Sequence, residues 1–543
     1  MTSRTKDIIT KSLGSIFFVA AIYCLVRSVI LTFSIDIWYD ELFSMEFADR
    51  PVPELISLTG RDVHPPFYYM VLRAAILLGE RLGVVGKIPG MLAPEMVAKL
   101  LSIVPFVMLI IYGLTTVRKH FGFLSAGIFT FAIVAMPQLP EYTTEIRMYS
   151  FSIWFVTAAF LHGLALIRNM KSGNDAGWDI PDGAALWLYC VAAAYTHYYA
   201  AFSVGIIYGI LLVWMLILYI RRMRDKNTAA PVNFKALALV VIGINLSIVC
   251  YIPWVSVVLS QVGAVKQNYW IQPVGLRSLG SCVKYLFKGY FTNSVVATII
   301  AVLFFTIVVF LLVRTTISAV RKKDSKAFYT LFAFSILPLL VFAGLLASFL
   351  IRPVFVNRYM LPAYGTFWLS ISIMLGSEFE KLLEKKTVIS GISLIMMVLM
   401  LVVGMVDFRT FIGNEEYRKV NMDKTLELFE GLSSDTIIIS NFNQVQALLS
   451  YYLNRQDGEY KIYLYQEDAE PLIDETVPGL MSIYDPIDIA NYLDAGKEVL
   501  FLGSFNSREV LVQEWQDEYG ISSENEGSYL MERYWFDVFR LSR

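Results

Sequence analysis

Runs of about twenty apolar residues recur along this chain, and no other feature restricts its fold so strongly. A soluble core needs only one apolar face per element, whereas a helix crossing a bilayer must be apolar for about 20 residues. With 56% hydrophobic and 17% charged residues among 543, the composition is that of a polytopic membrane protein. Eleven spans are expected, near 13–35, 97–117, 122–138, 148–168, 183–199, 201–220, 235–257, 294–314, 328–350, 360–377 and 387–406. The fifth and sixth form one nearly continuous run, broken at Thr196-His-Tyr-Tyr. The spans read as almost free of acids, with Arg27 as the main buried charge.

Basic residues set the expected orientation. Arg4, Lys6 and Lys11 precede the first span, and Arg118-Lys119, Arg168 with Lys171, Arg221-Arg222, Arg321-Lys322-Lys323 and Lys385-Lys386 follow alternate spans. That pattern puts the amino terminus in the cytoplasm. An odd number of spans then puts a long first loop, 36–96, and the carboxyl-terminal region outside.

The net charge of −1 hides a division, because the part beyond about 411 holds more than half of all Asp and Glu. An acidic surface of this kind argues against nucleic acid as a partner. Cys24, Cys190, Cys250 and Cys282 lie in or near spans, so no disulfide framework or metal-ligand spacing is implied. The chain divides into a membrane module, 1–410, and an outer α/β domain, 411–543. In the latter, Thr436–Ser440, Lys461–Tyr465 and Glu498–Gly503 read as strands. Asn443–Leu453, Asp485–Leu493 and Ser507–Tyr519 read as helices, and Ser528–Leu541 as a strand pair, together a parallel or mixed sheet.

The residues with chemistry fall at the outer edges. Asp40-Glu41 stands just beyond the first span, suited to a base acting at the membrane boundary or simply to the acidic start of a loop. Asp62-Val-His64-Pro65-Pro66-Phe67-Tyr68-Tyr69 follows in the same loop. Its prolines stop any helix there, and Phe67–Leu78 can form an apolar helix beyond them. His64 is either half of an Asp–His pair or a structural hydrogen-bonder. The second outer loop carries Glu141-Tyr-Thr-Thr-Glu145-Ile-Arg147-Met-Tyr149. A guanidinium at that depth calls for an anion, a phosphate or a neighbouring carboxylate, unless it snorkels outward. Later edges give His197-Tyr198-Tyr199, Gln267-Asn-Tyr269-Trp270 and Asn357-Arg358-Tyr359-Met-Leu-Pro362, where aromatics also serve as interfacial anchors. Acids on the first loop, with Arg147, Arg358, His64 and His197 on the same side, would supply a base for an acceptor and cations for a departing phosphate. Glycosyl transfer from a lipid phosphate has that requirement.

Taken in order, these motifs resemble the GT-C membrane glycosyltransferases. The closest branch is the family 39-like group of protein O-mannosyltransferases and lipid A aminoarabinose transferases. The resemblance covers roughly residues 1–370 and implies a polyprenyl-phosphate sugar donor and an inverting reaction at the outer face. It implies Asp40 as general base, Glu41 as its orienting or substrate-binding neighbour, and Asp62 and His64 as residues shaping the pocket. Arg147 and Arg358 would meet the donor phosphate, with Tyr149 and Tyr359 as hydrogen-bonding neighbours, and Tyr68, Glu145, His197 and Tyr198 complete the substrate-binding set. The acceptor could be a glycolipid, a polymer or a protein. No cofactor is required, although a divalent metal occurs in some members, for which Asp40, Asp62 and His64 are hard ligands. A bacterial plasma membrane is the expected location. The rivals are a glycan ligase or polymerase, whose long loop comes late in the chain, and a lipid or sugar transporter or flippase, which would place ionisable residues near the midplane.

Overall fold

A computed structural model describes residues 2–86, 90–172, 179–224, 234–265, 271, 273–289, 293–385, 388–454, 460–466, 476–477 and 479–543. The aromatic cluster at 267–270 lies outside them. The chain is a polytopic α-helical membrane protein with a carboxyl-terminal α/β region. Its contacts divide it into two compact units. The first comprises Met1–Ile30, Val63–Leu72 and Lys99–Phe411, and the second Leu31–Asp62, Arg73–Ala98 and Ile412–Arg543. Most of the first loop thus groups with the carboxyl-terminal region rather than with the 1–410 module.

A helix stands in each of the eleven places expected, but among the described residues eight are long and apolar enough to cross a membrane alone. Three fall short for different reasons. Phe123–Ala135 has only 13 residues, nearly all buried, so it is enclosed by protein on every side. Asp179–Ala194 has 16 and carries Asp179 and Asp182 in its first turn. Tyr364–Lys385 is long enough but ends in Glu378, Glu380, Lys381 and Glu384.

In the first unit, Asp179–Ala194 packs against both Tyr149–Ser172 and Phe234–Val265, while Tyr364–Lys385 packs on Ser325–Leu350 and Phe123–Ala135. Small residues allow close approach: a Cβ on Gly365 would lie 1.9 Å from Thr157 Oγ1. The expected spans hold no acid; Glu378 and Asp407 stand one residue beyond the tenth and eleventh, and Lys99 lies within the second. Arg27 is only half-buried, whereas Lys99, Glu378 and Asp407 are buried. Glu378 meets Arg314 Nη2 at 2.9 Å and Lys381 Nζ at 2.6 Å, which offsets the cost of desolvating its charge.

The second unit holds a six-stranded sheet. In chain order its strands are β1 (Ile437–Ser440), β2 (Ile462–Tyr465), β3 (Leu480–Ile483), β4 (Val499–Gly503), β5 (Ser522–Met531) and β6 (Tyr534–Ser542). They are arranged β3-β2-β1-β4-β6-β5. The first four are parallel and the β5–β6 hairpin closes the sheet antiparallel. β1 and β4 are buried along their whole lengths, as central parallel strands must be when both faces are covered. Ile437, Ile439, Phe501 and Phe539 share a core with Trp515 of helix Ser507–Tyr519, whose indole stands edge-on to Phe501 with centroids 4.8 Å apart. Asp485 starts helix Pro486–Asp494 by accepting the Ile487 N–H at 2.8 Å.

First-loop residues are woven into this unit. The Ile37 N–H donates to Tyr452 Oη at 2.9 Å, Lys419 pairs with Asp36 at 3.1 Å, and Tyr451 donates its hydroxyl to buried Glu95.

Candidate functional site

The His-Pro-Pro segment opens the site in the first unit. Its prolines end with helix Phe67–Arg81 starting at the next residue, as Pro chemistry requires. The Phe67 N–H donates to the Tyr195 carbonyl at 3.1 Å, tying this segment to the Thr196-His197 break between helices Asp179–Ala194 and Tyr198–Arg224. His64 and His197 are consequently brought together, with ring centroids 5.8 Å apart. Around His197 stand Tyr149 at 5.4 Å and Tyr359 at 5.2 Å. Tyr359 in turn stacks on Tyr199 at 4.8 Å and 27°. Sequence reasoning assigned Tyr199 no role, though it ends the His-Tyr-Tyr motif. Its hydroxyl donates to the Val354 carbonyl at 2.8 Å and its ring touches Phe355.

Two cations bear on this aromatic cluster. Arg147 is 5% exposed; its N–H donates to the Glu145 carbonyl at 2.8 Å, and Ser102 Oγ donates to the same carbonyl at 2.7 Å. Arg358 is half-buried with its guanidinium 5.9 Å from the Tyr359 ring centroid. The imidazole of His197 is 2% exposed and lies within reach of the charges of His64, Arg358 and Arg147. Its Nδ1 accepts the Tyr199 N–H at 3.1 Å. A ring nitrogen that accepts carries no proton, so His197 is neutral with its proton on Nε2, a fixed hydrogen-bond donor. Glu145 contributes charge beside Tyr142, whose phenol is raised by burial, by Tyr285 and by Glu145, and the Tyr142 and Tyr285 hydroxyls are 3.3 Å apart.

Beside the imidazoles lies a cavity of about 340 Å³ lined by His64, His197, Tyr198 and Tyr359 together with the apolar side chains of Phe202, Val258, Val262 and Ile351. Tyr198 is fixed there, donating to Gln261 Oε1 and accepting from Trp254 Nε1 at 3.1 Å. Tyr68 is placed differently from the rest: it is buried edge-on between Tyr69 and Phe151, a packing position.

Asp40, Glu41 and Asp62 belong to the second unit. Glu41 is buried, and its Oε2 accepts the Trp38 N–H at 3.0 Å, capping helix Tyr39–Asp49. Asp40 is half-buried in the same first turn, where negative charge is favoured by the helix dipole. Its neighbours include the turn joining β5 to β6. Arg533 lies 3.9 Å over the Trp38 ring, and the Tyr534 phenol is raised first by burial and then by the Asp40 charge. Asp62 is half-buried at the end of helix Val52–Arg61. Among the described residues no three of His, Cys, Asp and Glu converge as a metal site.

The fold and the first-unit cluster together define a helical membrane protein with an imidazole–arginine cluster beside an apolar cavity. No protein-family model matches the chain, and no curated protein does. Among solved structures it is similar to the archaeal oligosaccharyltransferase AglB from Archaeoglobus fulgidus in complex with an inhibitory peptide and a dolichol-phosphate. The TM-score is 0.38 at 11% identity, covering 71% of this chain and 56% of that one. The Archaeoglobus fulgidus oligosaccharyltransferase in complex with Zn and sulfate gives 0.38 at 13% identity, over 71% and 53%. The S. cerevisiae protein O-mannosyltransferase Pmt1-Pmt2 complex bound to the sugar donor gives 0.31 at 16%, over 47% and 34%. The protein O-mannosyltransferase group that the motifs resemble is therefore among these neighbours. The chain spans about half the length of the archaeal structures. At these scores the likeness carries no inference about chemistry, which rests on the residues themselves.

Proposed function

We propose that this protein is a glycosyltransferase that moves a sugar from a polyprenyl-phosphate donor to an acceptor at the outer face of a bacterial plasma membrane. The observation that carries the reading is the junction of two environments in the first unit. An apolar cavity of about 340 Å³ offers room for an isoprenoid chain. Along its wall runs a neutral imidazole whose surroundings are made positive by Arg147 and Arg358, a setting suited to the phosphate to which such a chain is joined.

In this reading Asp40 removes the proton from the acceptor hydroxyl or amine as its heteroatom attacks the anomeric carbon. The bond from that carbon to the phosphate oxygen breaks, with inversion, and polyprenyl phosphate departs carrying the electron pair. Arg147 and Arg358 balance the charge gathering on the leaving phosphate, and the Nε2–H of His197 donates to it. His64 and Tyr359 close the wall of the pocket. The acceptor is a glycolipid, polymer or protein. A polyprenyl-phosphate analogue bearing a diazirine on its chain tests the donor assignment: after photolysis it should label Phe202, Val258, Val262 or Ile351. Labelling that spares all of these positions would remove the cavity from the reading.

A further inference from the structure

The helices that reach the imidazole cluster at one end frame a second cavity near the other. From Tyr149 to Arg168 the helix Tyr149–Ser172 runs 19 residues, about 28 Å at 1.5 Å per residue. There a space of about 390 Å³ is lined by Tyr112, Lys119, His120, His162, Arg168 and Asp182, among others. None of these is part of the donor site. The neighbouring helix passes through a π-helical turn, Gly113–Val117, a local widening that is frequent where helices serve a function.

Arg168 is the informative residue. Its guanidinium carbon lies 5.7 Å from the Phe121 ring centroid and 5.6 Å from that of Tyr329, so aromatic rings serve the cation through its π-facing contacts. Hydrogen bonding from a guanidinium is directed in its plane instead, and its Nη2 is buried with no hydrogen-bond partner among the described residues. A buried donor left in that state has given up its water without a replacement. The acid that shares the cavity is already engaged: Asp182 Oδ1 accepts from His162 Nδ1 at 2.7 Å, and His162 Nε2 meets the Tyr112 hydroxyl at 2.9 Å. Lys119 and His120 are exposed at the rim, adding cationic and hydrogen-bonding groups where an anion would enter.

We propose that this cavity is a second site, specific for a phosphomonoester-type anion, with half-buried Arg168 as its anchor and Lys119 and His120 at its mouth. A tetrahedral phosphate supplies the in-plane acceptor that Nη2 lacks, and Lys119 adds charge at the rim without closing the entrance. The same chemistry is presented by a lipid phosphomonoester headgroup and by free phosphate, and two arms separate them. Full-length protein is reconstituted in phosphatidylcholine nanodiscs with or without 10% phosphatidic acid, and retained lipid is quantified by native mass spectrometry after extraction. In parallel, radiolabelled inorganic phosphate is bound by equilibrium dialysis in the discs lacking phosphatidic acid. Retention of phosphatidic acid alone identifies a headgroup site, and binding of both identifies a general phosphate site. In either case Arg168→Gln should lower occupancy at least tenfold and Arg168→Lys less. Lys119→Gln, at an exposed position where folding is not at risk, should lower it several-fold, and Arg321→Gln, which does not line the cavity, should leave it unchanged. No binding of either probe to wild-type protein, or wild-type occupancy in both Arg168→Gln and Lys119→Gln, would overturn the assignment.

Discussion

Gly344 offers a way to disturb the donor site without touching a polar group. It lies within helix Ser325–Leu350, and a Cβ there would fall 2.5 Å from Phe355 Cδ2 and 2.8 Å from Tyr199 Cε1. Both rings are buried and packed against each other, and Tyr199 carries the stacked Tyr359. Ordinary contact distances are about 3.5–4.0 Å, so Gly344→Ala must push these rings by roughly 1 Å. Overpacking of this kind costs about 1–3 kcal/mol, against a gain of about 0.5–1 kcal/mol from replacing a helical glycine. The net loss is then about 0–2.5 kcal/mol. If the stack absorbs it, donor affinity falls by up to roughly sixtyfold, since about 1.4 kcal/mol is a factor of ten. Gly209, in helix Tyr198–Arg224, has nothing within 4 Å of its added Cβ, so Gly209→Ala is the control and should only stabilise. The assay is competition of a fluorescent polyprenyl-phosphate analogue by donor in nanodiscs, with thermal midpoints alongside. Donor binding in Gly344→Ala as tight as in wild type, with a midpoint raised like that of Gly209→Ala, would refute the coupling of this packing to the site.

Other consequences can be checked separately. Arg147→Ala and Arg358→Ala should each raise the donor KM at least tenfold while changing the acceptor KM less than threefold; equal rises in both would make these residues structural. Glu41→Gln keeps an acceptor for the Trp38 N–H and should retain most turnover, whereas Glu41→Ala should lose about 1 kcal/mol of stability with its cap; abolished turnover in a folded Gln variant would instead give Glu41 a part in the chemistry. In the second unit, hydrogen bonding from Arg540 holds the Glu498 carboxyl below its usual range, with Thr436 assisting. A depressed carboxylate pKa contributes stability that is present above the unfolded value and lost as pH falls through the folded one. The pair is partly exposed, so the contribution is tenths of a kcal/mol. The thermal midpoint of Glu498→Gln should fall slightly below wild type at pH 7 and converge with it below about pH 4; a constant difference across that range would deny the linkage.

The carboxyl-terminal α/β elements were legible because each follows a local rule. Ile437-Ile-Ile-Ser440 and Val499-Leu-Phe-Leu-Gly503 are short apolar runs between turn signals, and Asp485 and Ser507 stand where helices begin. β3 was not foreseen, because Leu480-Met-Ser-Ile483 is a four-residue edge strand with two exposed residues and little apolar alternation to read. Helix positions were also readable from apolar runs. What the runs could not say was that Phe123–Ala135 is wrapped by protein, since an all-round apolar helix looks the same to sequence in either setting.

In the candidate site, His64, His197, Tyr149 and Tyr359 were singled out by motif and sidedness, and their rings gather in one cluster whose role is the proposal above. The tautomer of His197 was beyond reach, because it depends on the Tyr199 backbone N–H. So was the company of Asp40: Trp38 under Arg533, and Tyr534, joined residues nearly 500 positions apart. The His162–Asp182 pair left a fainter signal, two ionisable residues near the ends of adjacent apolar runs, 20 positions apart, which a search for intramembrane charge would have caught.

The central claim is sugar transfer from a lipid phosphate, and release of polyprenyl phosphate tests it most directly. Purified wild-type protein and Asp40→Asn, in nanodiscs, would be given a panel of polyprenyl-phosphate sugars with an envelope extract as acceptor. Wild-type protein should release polyprenyl phosphate from at least one donor, and Asp40→Asn should do so at least a hundredfold more slowly while binding that donor normally. Folded wild-type protein that consumes no donor, or an Asn variant that turns over at the wild-type rate, would contradict the account.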